Sequence, residues 1–162
     1  MARALWRIAK ETRDYPADDL TGRGAAATGG RWNSRGRAAV YASESIALAL
    51  LETIAHLGDE RHPRNRYLIE LRVPESVYRR RIAAVDLPRA WDAEPAGIAS
   101  MAYGDAWIDG ARSALLVVPS VIVPEAFNFL LNPVHPDARK VTAAVLRKVI
   151  YDPRLLLRRQ RP

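Results

Sequence analysis

One carboxylate, Glu52, stands inside an apolar stretch of the sequence. Its neighbours over 46–55 are almost all alanine, leucine and isoleucine. A buried carboxylate is costly unless a cation or hydrogen-bond donors satisfy it, and such carboxylates are enriched at functional sites. We therefore predict that Glu52 is a catalytic residue, with a structural ion pair to an arginine as the alternative. His56, one turn further along the same face, is interpreted as a satisfied, partly buried histidine.

The segment 29–34, with the sequence GGRWNS, has the composition of an anion-binding loop. Glycines such as Gly30 let backbone N–H groups approach a phosphate closely, and Arg31 can donate two hydrogen bonds to its oxygens. The alternative is a surface turn whose Trp32 packs on the core.

Two hydroxyl groups lie where predicted strands end and can point into one cleft. Tyr41 lies near the end of the predicted strand 38–42, and Ser120 follows the predicted strand 114–118. Their alternatives are a core tyrosine and a turn serine.

The residue inventory excludes several kinds of chemistry. The chain has no cysteine, which rules out disulfides, thiolate metal sites and a cysteine nucleophile. The histidines His56, His62 and His135 lack the spacing of metal ligands, so no catalytic metal is expected. The segment 22–27, GRGAAA, has the letters of a dinucleotide-binding fingerprint. We reject that site because the polar residues before it and the glycines after it do not predict the strand and helix that it requires.

The chain is basic, with a formal net charge of +7 and an isoelectric point near 10.2. A basic balance suits nucleic acid, acidic membrane or phosphorylated ligands, although codon bias in a GC-rich genome produces arginine as well. The best basic patch is the tail 147–161, for which a solvated terminus is the alternative. The longest apolar run, 46–51, is too short to span a bilayer and the first ten residues are no signal peptide, so a soluble cytoplasmic protein is expected.

The hydrophobic pattern predicts short strands and two helices. A helix over 44–57 is predicted to be capped by Ser43 and stopped by Gly58, and a second helix covers about 98–108. Strands are predicted over 5–9, 38–42, 67–73, 114–118, 121–123, 127–131 and 145–151, and 10–37 is predicted to be a long loop. Because strands predominate in the second half, we expect an α+β fold, with a mixed sheet and flanking helices. The absence of repeats and linkers predicts one domain over 1–162.

Taken together, several ordered motifs resemble the RES domain family. They are GGRWNS at 29–34, VYAS at 40–43, ALLE at 49–52, VVPS at 117–120, NFLLNPVHP at 128–136 and YDPRL at 151–155. The family is named for an arginine, a glutamate and a serine, and Arg31, Glu52 and Ser120 fall in the matching motifs. The resemblance spans nearly the whole chain.

The resemblance implies an ADP-ribosyltransferase-like fold whose split, mixed sheet binds NAD+ as the substrate, with no separate cofactor. Known members degrade NAD+ by phosphorolysis or hydrolysis of the nicotinamide–ribose bond, and some are linked to ADP-ribosylation of a protein. Most are toxins that a neighbouring antitoxin with a helix-turn-helix holds inactive. The expected partners are therefore an Xre-like antitoxin, a second copy in a homodimer, and DNA only through the antitoxin.

The resemblance also implies a role for each site residue. Arg31 anchors the pyrophosphate of NAD+, assisted by the Gly30 and Trp32 backbone and by Asn33. Glu52 stabilises the positive charge that develops on the ribose in the transition state. Glycosidases generally need a second carboxylate to protonate the leaving group, whereas nicotinamide leaves as a neutral molecule, so one carboxylate suffices.

The other two residues contact the same region. Tyr41 stacks on or hydrogen-bonds the nicotinamide riboside, and Ser120 positions the ribose or Glu52. Three alternatives remain open. The chain is an ADP-ribosyltransferase that modifies a cellular protein, a nucleic-acid-binding protein that uses its basic C-terminal tail, or an inactive fold in which Arg31 and Glu52 are an ion pair.

Overall fold

The computed structural model of the chain describes residues 1–57 and 63–156. Three features considered above fall outside these residues, wholly or in part: the helix stop at Gly58, the histidine His62, and the part of the tail 147–161 beyond residue 156.

Within the described residues the chain forms strands connected by short helices. In order along the chain these are β1 (Ala2–Lys10), α1 (Arg23–Thr28), β2 (Val40–Ser43), α2 (Ile46–His56), β3 (Arg66–Pro74), α3 (Glu75–Tyr78), β4 (Ile82–Ala83), α4 (Ile98–Gly110), β5 (Leu115–Pro119), β6 (Phe127–Leu131), a 3₁₀ helix (Pro136–Lys140), β7 (Thr142–Lys148) and α5 (Pro153–Leu156). None of the helices in residues 1–57 and 63–156 has the length and apolar character needed to cross a membrane.

The strands form one sheet in the order β4-β5-β6-β2-β1-β3-β7. The β4–β5 pair is parallel and the other pairs are antiparallel, which confirms the predicted mixed sheet. β1 pairs with β3 along its full length, but it meets β2 only at Trp6 opposite Ser43. The sheet is therefore split between β1 and β2, and α2 leaves β2 at this split.

Each face of the sheet is covered by apolar side chains. Alternation along β3 places Ile69, Leu71 and Val73 in the larger core cluster, where at most 1% of each residue is exposed. Leu68 packs on the opposite face. The predicted alternation over 67–73 is thus confirmed. Burying a side chain of this size stabilises the fold by about 1.5–3 kcal/mol.

The helix α2 begins later than predicted. Its N-cap is Ser45, whose hydroxyl accepts a hydrogen bond of 3.1 Å from the Leu48 N–H. The predicted cap, Ser43, is instead the last residue of β2, because pairing with Asn128 of β6 extends the strand through it. As a strand residue directly opposite Asn128, Ser43 can donate its hydroxyl to the Asn128 side chain.

Other predictions needed smaller corrections. The predicted strand 121–123 is a turn, because the N–H groups of Ile122 and Val123 both donate to the Ser120 hydroxyl rather than to a strand. The predicted loop 10–37 contains the short helix α1. The closing strand is β7, which begins three residues before the predicted 145–151 and ends at Lys148. The strand 127–131 is confirmed with its predicted bounds, and the strands 5–9 and 114–118 and the helix 98–108 are confirmed with small shifts of their ends.

Candidate active site

The carboxylate of Glu52 is held by two neutral donors from two strands. Glu52 lies in the second turn of α2, and its Oε1 accepts hydrogen bonds from the Ser120 hydroxyl at 2.7 Å and the Asn128 side-chain amide at 2.6 Å. Hydrogen bonds to a charged acceptor are roughly twice as strong as neutral ones. Within residues 1–57 and 63–156, neither a cation pairs with Glu52 nor a donor bonds to its Oε2. The expected alternative, an ion pair with an arginine, is not formed there.

Ser120 is fully buried at the end of β5 and all its hydrogen-bonding capacity is used. Its oxygen accepts from the N–H groups of Ile122 and Val123, each at 3.1 Å. Because those two donors occupy the lone pairs, the hydroxyl proton is directed to Glu52. The turn that replaces the predicted strand 121–123 therefore fixes the direction of the Ser120 hydroxyl.

Asn128 on β6 is a functional candidate that the sequence did not single out. Its Oδ1 accepts a 2.7 Å hydrogen bond from the Ser43 hydroxyl, while its Nδ2 donates to Glu52. The register places Ser43 of β2 and Val118 of β5 on either side of Asn128. An asparagine in the predicted strand 127–131 was a usable signal, because asparagine is depleted in strands.

The second part of the site is the 29–34 loop, which is tied to β2 through Tyr41. The Tyr41 hydroxyl accepts a 3.1 Å hydrogen bond from the Trp32 N–H and donates to Asn33 Oδ1 at 2.7 Å. Burial raises the pKa of the Tyr41 hydroxyl above its usual value, so it remains a donor. A Cβ added to Gly30 would lie 2.7 Å from the Tyr41 hydroxyl oxygen, so this position requires glycine.

The Asn33 side chain holds the 29–34 loop together from the inside through hydrogen bonds to the backbone. It is fully buried, and its Nδ2 donates to the carbonyl oxygens of Ala25 and Arg37, both at 2.9 Å. The Gly30 N–H donates to the Asn33 carbonyl at 2.8 Å. Together with the Trp32–Tyr41 bond, these contacts use the backbone donors of Gly30 and Trp32 to shape the loop.

Helix α4 supports this loop from the outside. The Ser34 N–H and hydroxyl donate to the Asp105 carboxylate at 2.9 and 2.6 Å. The Gly104 backbone lies so close to the Trp32 carbonyl that a Cβ at position 104 would overlap it. The loop is thus seated on α4 by close backbone contact and by charge-assisted hydrogen bonds.

Arg31 is held by the turn at 91–94, which lies 60 to 63 positions further along the chain. Its Nη1 donates to the carbonyls of Trp91 and Ala93 at 3.0 and 2.7 Å, and its Nη2 lies 3.1 Å from Glu94 Oε2. The Arg31 side chain is 16% exposed, whereas that of Glu94 is 81% exposed. Trp91 also stacks on Trp32, with ring centroids 6.0 Å apart. The sequence signal for this contact was Trp91 itself, because a tryptophan in a polar stretch needs a packing partner.

The structure thus brings the predicted site residues together in two adjacent groups. One is the carboxylate group Glu52, Ser120, Asn128 and Ser43, and the other is the loop group Gly30, Arg31, Trp32, Asn33 and Tyr41. They are joined by β2, because Tyr41 and Ser43 are two residues apart on one face of the strand, roughly 7 Å from each other. Arg31 and Glu52 have different partners, so the ion pair expected of an inactive fold is not formed.

The two groups differ in the chemistry that they can perform. A carboxylate fixed through one oxygen can stabilise positive charge on a reacting group at its other oxygen, and a guanidinium on a supported loop can bind an anion. No group of three or more histidines, aspartates and glutamates in residues 1–57 and 63–156 is arranged to hold a metal ion.

Comparison with known proteins gives a consistent set of matches. The profile of the RES domain matches residues 4–154. A protein of Sphingobium sp. (strain YBL2) named Prs ADP-ribosylating toxin is 52% identical over 158 residues, which cover 96% of this chain and 98% of that protein. A protein of Yersinia enterocolitica named Toxin Res is 36% identical over 152 residues, which cover 93% of this chain and 98% of that protein.

The fold is also similar to that of a solved structure. A chain in the crystal structure of the M. tuberculosis MbcT–MbcA toxin–antitoxin complex matches with a TM-score of 0.61. The match covers 96% of this chain and 87% of that chain at 17% sequence identity. At this identity the match describes the fold alone.

Proposed function

This chain belongs to the RES domain family, and from that premise we propose that it is a toxin that cleaves the nicotinamide–ribose bond of NAD+. The observation that carries the proposal is the Glu52 carboxylate, whose Oε1 is fixed by Ser120 and Asn128 while Oε2 accepts from no donor among residues 1–57 and 63–156. The match of the RES profile to residues 4–154 and the names of the two relatives support the same reading.

The chemistry needs only one carboxylate. When the bond between ribose C1′ and the pyridinium nitrogen breaks, the electron pair stays on nitrogen and nicotinamide leaves as a neutral molecule. Positive charge is left on the ribose carbon and ring oxygen. Glu52 Oε2 stabilises that charge, or holds the ribose hydroxyls beside it, because a preorganised opposite charge lowers the barrier most where charge develops. The acceptor oxygen then bonds to C1′; water releases its proton to the solvent, whereas phosphate attacks through an oxygen that is already deprotonated.

The loop group supplies binding of the substrate in this proposal. Arg31 contacts the pyrophosphate, because a guanidinium can donate two parallel hydrogen bonds to phosphate oxygens. Gly30, Trp32 and Asn33 hold the loop that presents Arg31. The ring of Tyr41 contacts the nicotinamide riboside, while its hydroxyl remains bonded to the loop.

The acceptor of the ADP-ribosyl group defines two versions of the function. In the first, phosphate or water accepts it, and the toxin depletes NAD+. In the second, a protein side chain accepts it. The second version is favoured by the name of the Sphingobium relative, Prs ADP-ribosylating toxin, which is 52% identical to this chain.

We further propose that an antitoxin inhibits this chain. The support is the fold shared with a chain of the MbcT–MbcA toxin–antitoxin complex. Co-expression with the product of the neighbouring gene is expected to relieve growth arrest, and the two proteins are expected to co-purify.

The experiment that tests the function follows nicotinamide release from NAD+ by the purified full-length chain. It has three arms: buffer alone, added inorganic phosphate, and a bacterial extract with NAD+ labelled on the adenylate. Nicotinamide release in any arm is the expected result, and the arm identifies the acceptor. Release in buffer or phosphate indicates NAD+ depletion, whereas a labelled protein with little net NAD+ loss indicates transfer. No release and no labelling in all three arms would reject the proposal.

A further inference from the structure

Both hydrogen bonds that the described residues make to the Glu52 carboxylate end on the same oxygen. Ser120 and Asn128 approach Oε1 from the neighbouring strands β5 and β6, at 2.7 and 2.6 Å. A carboxylate with one oxygen fixed by two donors from different strands can no longer rotate freely about its terminal bond. Its second oxygen then points in one direction.

The amide of Asn128 can serve this purpose in one orientation only. With Nδ2 toward Glu52 it donates, whereas the reversed amide would place Oδ1 against a carboxylate, acceptor against acceptor. The Ser43 hydroxyl, 2.7 Å from Oδ1, donates to the end of the amide that faces away from Glu52. Ser43 is 4% exposed, so water has little access to compete for this hydrogen bond.

The backbone register makes this chain of hydrogen bonds rigid. Ser43 and Asn128 are directly opposite each other on β2 and β6, at the end of β2 from which the chain turns into α2. β2 also lies at the split of the sheet, since its other neighbour, β1, meets it only at Ser43. The same residue that marks the split therefore orients the donor to Glu52.

We infer that Asn128, oriented by Ser43, is a positioning residue that directs Glu52 Oε2 toward the substrate. This inference rests on the proposed function, because a directed carboxylate oxygen speeds the reaction only when positive charge develops next to it. Asn128 does not contact the reacting atoms and acts through Glu52. A positioning loss of this kind costs about 10- to 100-fold in rate.

The kinetic test is a double-mutant cycle on the full-length chain with NAD+ as the substrate. Asn128→Ala is expected to lower kcat by about 10- to 100-fold with KM for NAD+ changed by less than about threefold. Ser43→Ala is expected to lower kcat by about 3- to 10-fold. Because Ser43 acts through Asn128, the double variant is expected to be no slower than Asn128→Ala alone. Losses that multiply, or a rise in KM at constant kcat, would overturn the inference.

Two matched variants separate positioning from loss of stability. Asn132→Ala removes a buried asparagine just after β6 that donates to the Ile108 carbonyl. Ser113→Ala removes a buried serine that accepts from Trp107, before the start of β5 and hence at the opposite end from Ser120. Both controls are expected to lower the melting temperature and to keep kcat within about twofold. An equal fall of kcat in these controls would show a structural effect only.

A second readout does not depend on turnover. In a chain labelled with ¹³C-glutamate, the Glu52 carboxyl resonance is assigned by its absence in Glu52→Gln. Asn128→Ala is expected to shift this resonance, and Asn132→Ala to leave it in place. If the unmodified chain releases no nicotinamide, the proposed function fails while this spectrum still decides the positioning role. An unshifted resonance in Asn128→Ala would overturn the inference even in an active enzyme.

Discussion

At the scale of residues, the two charged side chains of the site are satisfied in opposite ways. Glu52 is held by two neutral donors on one oxygen, and its other oxygen has no donor among the residues that the structure describes. Arg31 is held by two carbonyl oxygens and by the carboxylate of Glu94. That carboxylate is negatively charged, as a phosphate group of the substrate is. In the proposed function Glu94 therefore occupies the position of an anionic group of the substrate until the substrate displaces it.

Replacing Glu94 tests this relation between Arg31 and the substrate. Glu94→Gln removes the competing charge while the two carbonyl contacts keep Arg31 in place. Because the Glu94 side chain is 81% exposed, its ion pair is worth little to stability, typically less than about 1 kcal/mol, so folding is expected to be unaffected. KM for NAD+ is expected to fall by roughly two- to fivefold at constant kcat, because Nη2 no longer has to leave a carboxylate.

The control for this variant is Glu75→Gln on α3, where the carboxylate is paired with Arg79. It is expected to leave KM and kcat as they are. A higher KM in Glu94→Gln would contradict the account, since it would mean that Glu94 orients Arg31 for the substrate rather than competing with it.

At this scale, unusual composition draws attention to a residue in the sequence, whereas contacts that depend on strand register cannot be predicted from it. Glu52 was identifiable because a carboxylate in an apolar helix requires an explanation. Ser43 and Asn128 were missed because their contact exists only once β2 and β6 are paired. The partners of Arg31 were missed because the stretch that carries Trp91 and Glu94 has no periodic pattern.

At the scale of elements, the 29–34 loop depends on α4 for its position. Ser34 bonds to Asp105, and the Gly104 backbone lies directly against the Trp32 carbonyl. A helix that approaches a loop this closely transmits any displacement to it, because neither backbone has room to yield.

The glycine at 104 is therefore expected to be essential for both stability and activity. Gly104→Ala places a methyl group onto the Trp32 carbonyl, and overpacking against a backbone costs about 1–3 kcal/mol or more. We expect a lower free energy of unfolding in urea and a raised KM for NAD+. Gly110→Ala in the same helix is the matched control, because its Cβ would meet nothing closer than 4.0 Å. That variant is expected to be neutral or slightly more stable; wild-type stability in Gly104→Ala would contradict the close packing.

Elements with a strong local pattern were predictable, and those fixed by tertiary contacts were not. The alternation over 67–73 predicted β3, and the apolar run 127–131 predicted β6. Ser43 and Ser45 both suit a helix cap, and only the pairing of Ser43 with Asn128 makes Ser45 the cap. The segment 121–123 has the composition of a strand, but the buried Ser120 hydroxyl takes its N–H groups.

At the scale of the whole molecule, the candidate site lies where the sheet is split. β1 and β2 share a single residue pair, Trp6 with Ser43, while the strands on either side pair extensively. β2 carries Tyr41 toward the loop group and Ser43 toward the carboxylate group, and α2 carries Glu52 back over the sheet. Glu52 itself bonds to Ser120 and Asn128 on the β5–β6 side of the split, and Tyr41 of β2 bonds to the loop that carries Arg31.

The measurement that tests this account most directly is the rate of nicotinamide release by Glu52→Gln. The variant keeps the shape of the side chain and removes its charge, and Glu75→Gln is the control for the loss of a carboxylate elsewhere. In a Glu52→Gln variant that folds normally, the rate is expected to fall about 10³-fold, which corresponds to roughly 4 kcal/mol in the barrier. Release at the wild-type rate by folded Glu52→Gln would contradict the role of Glu52.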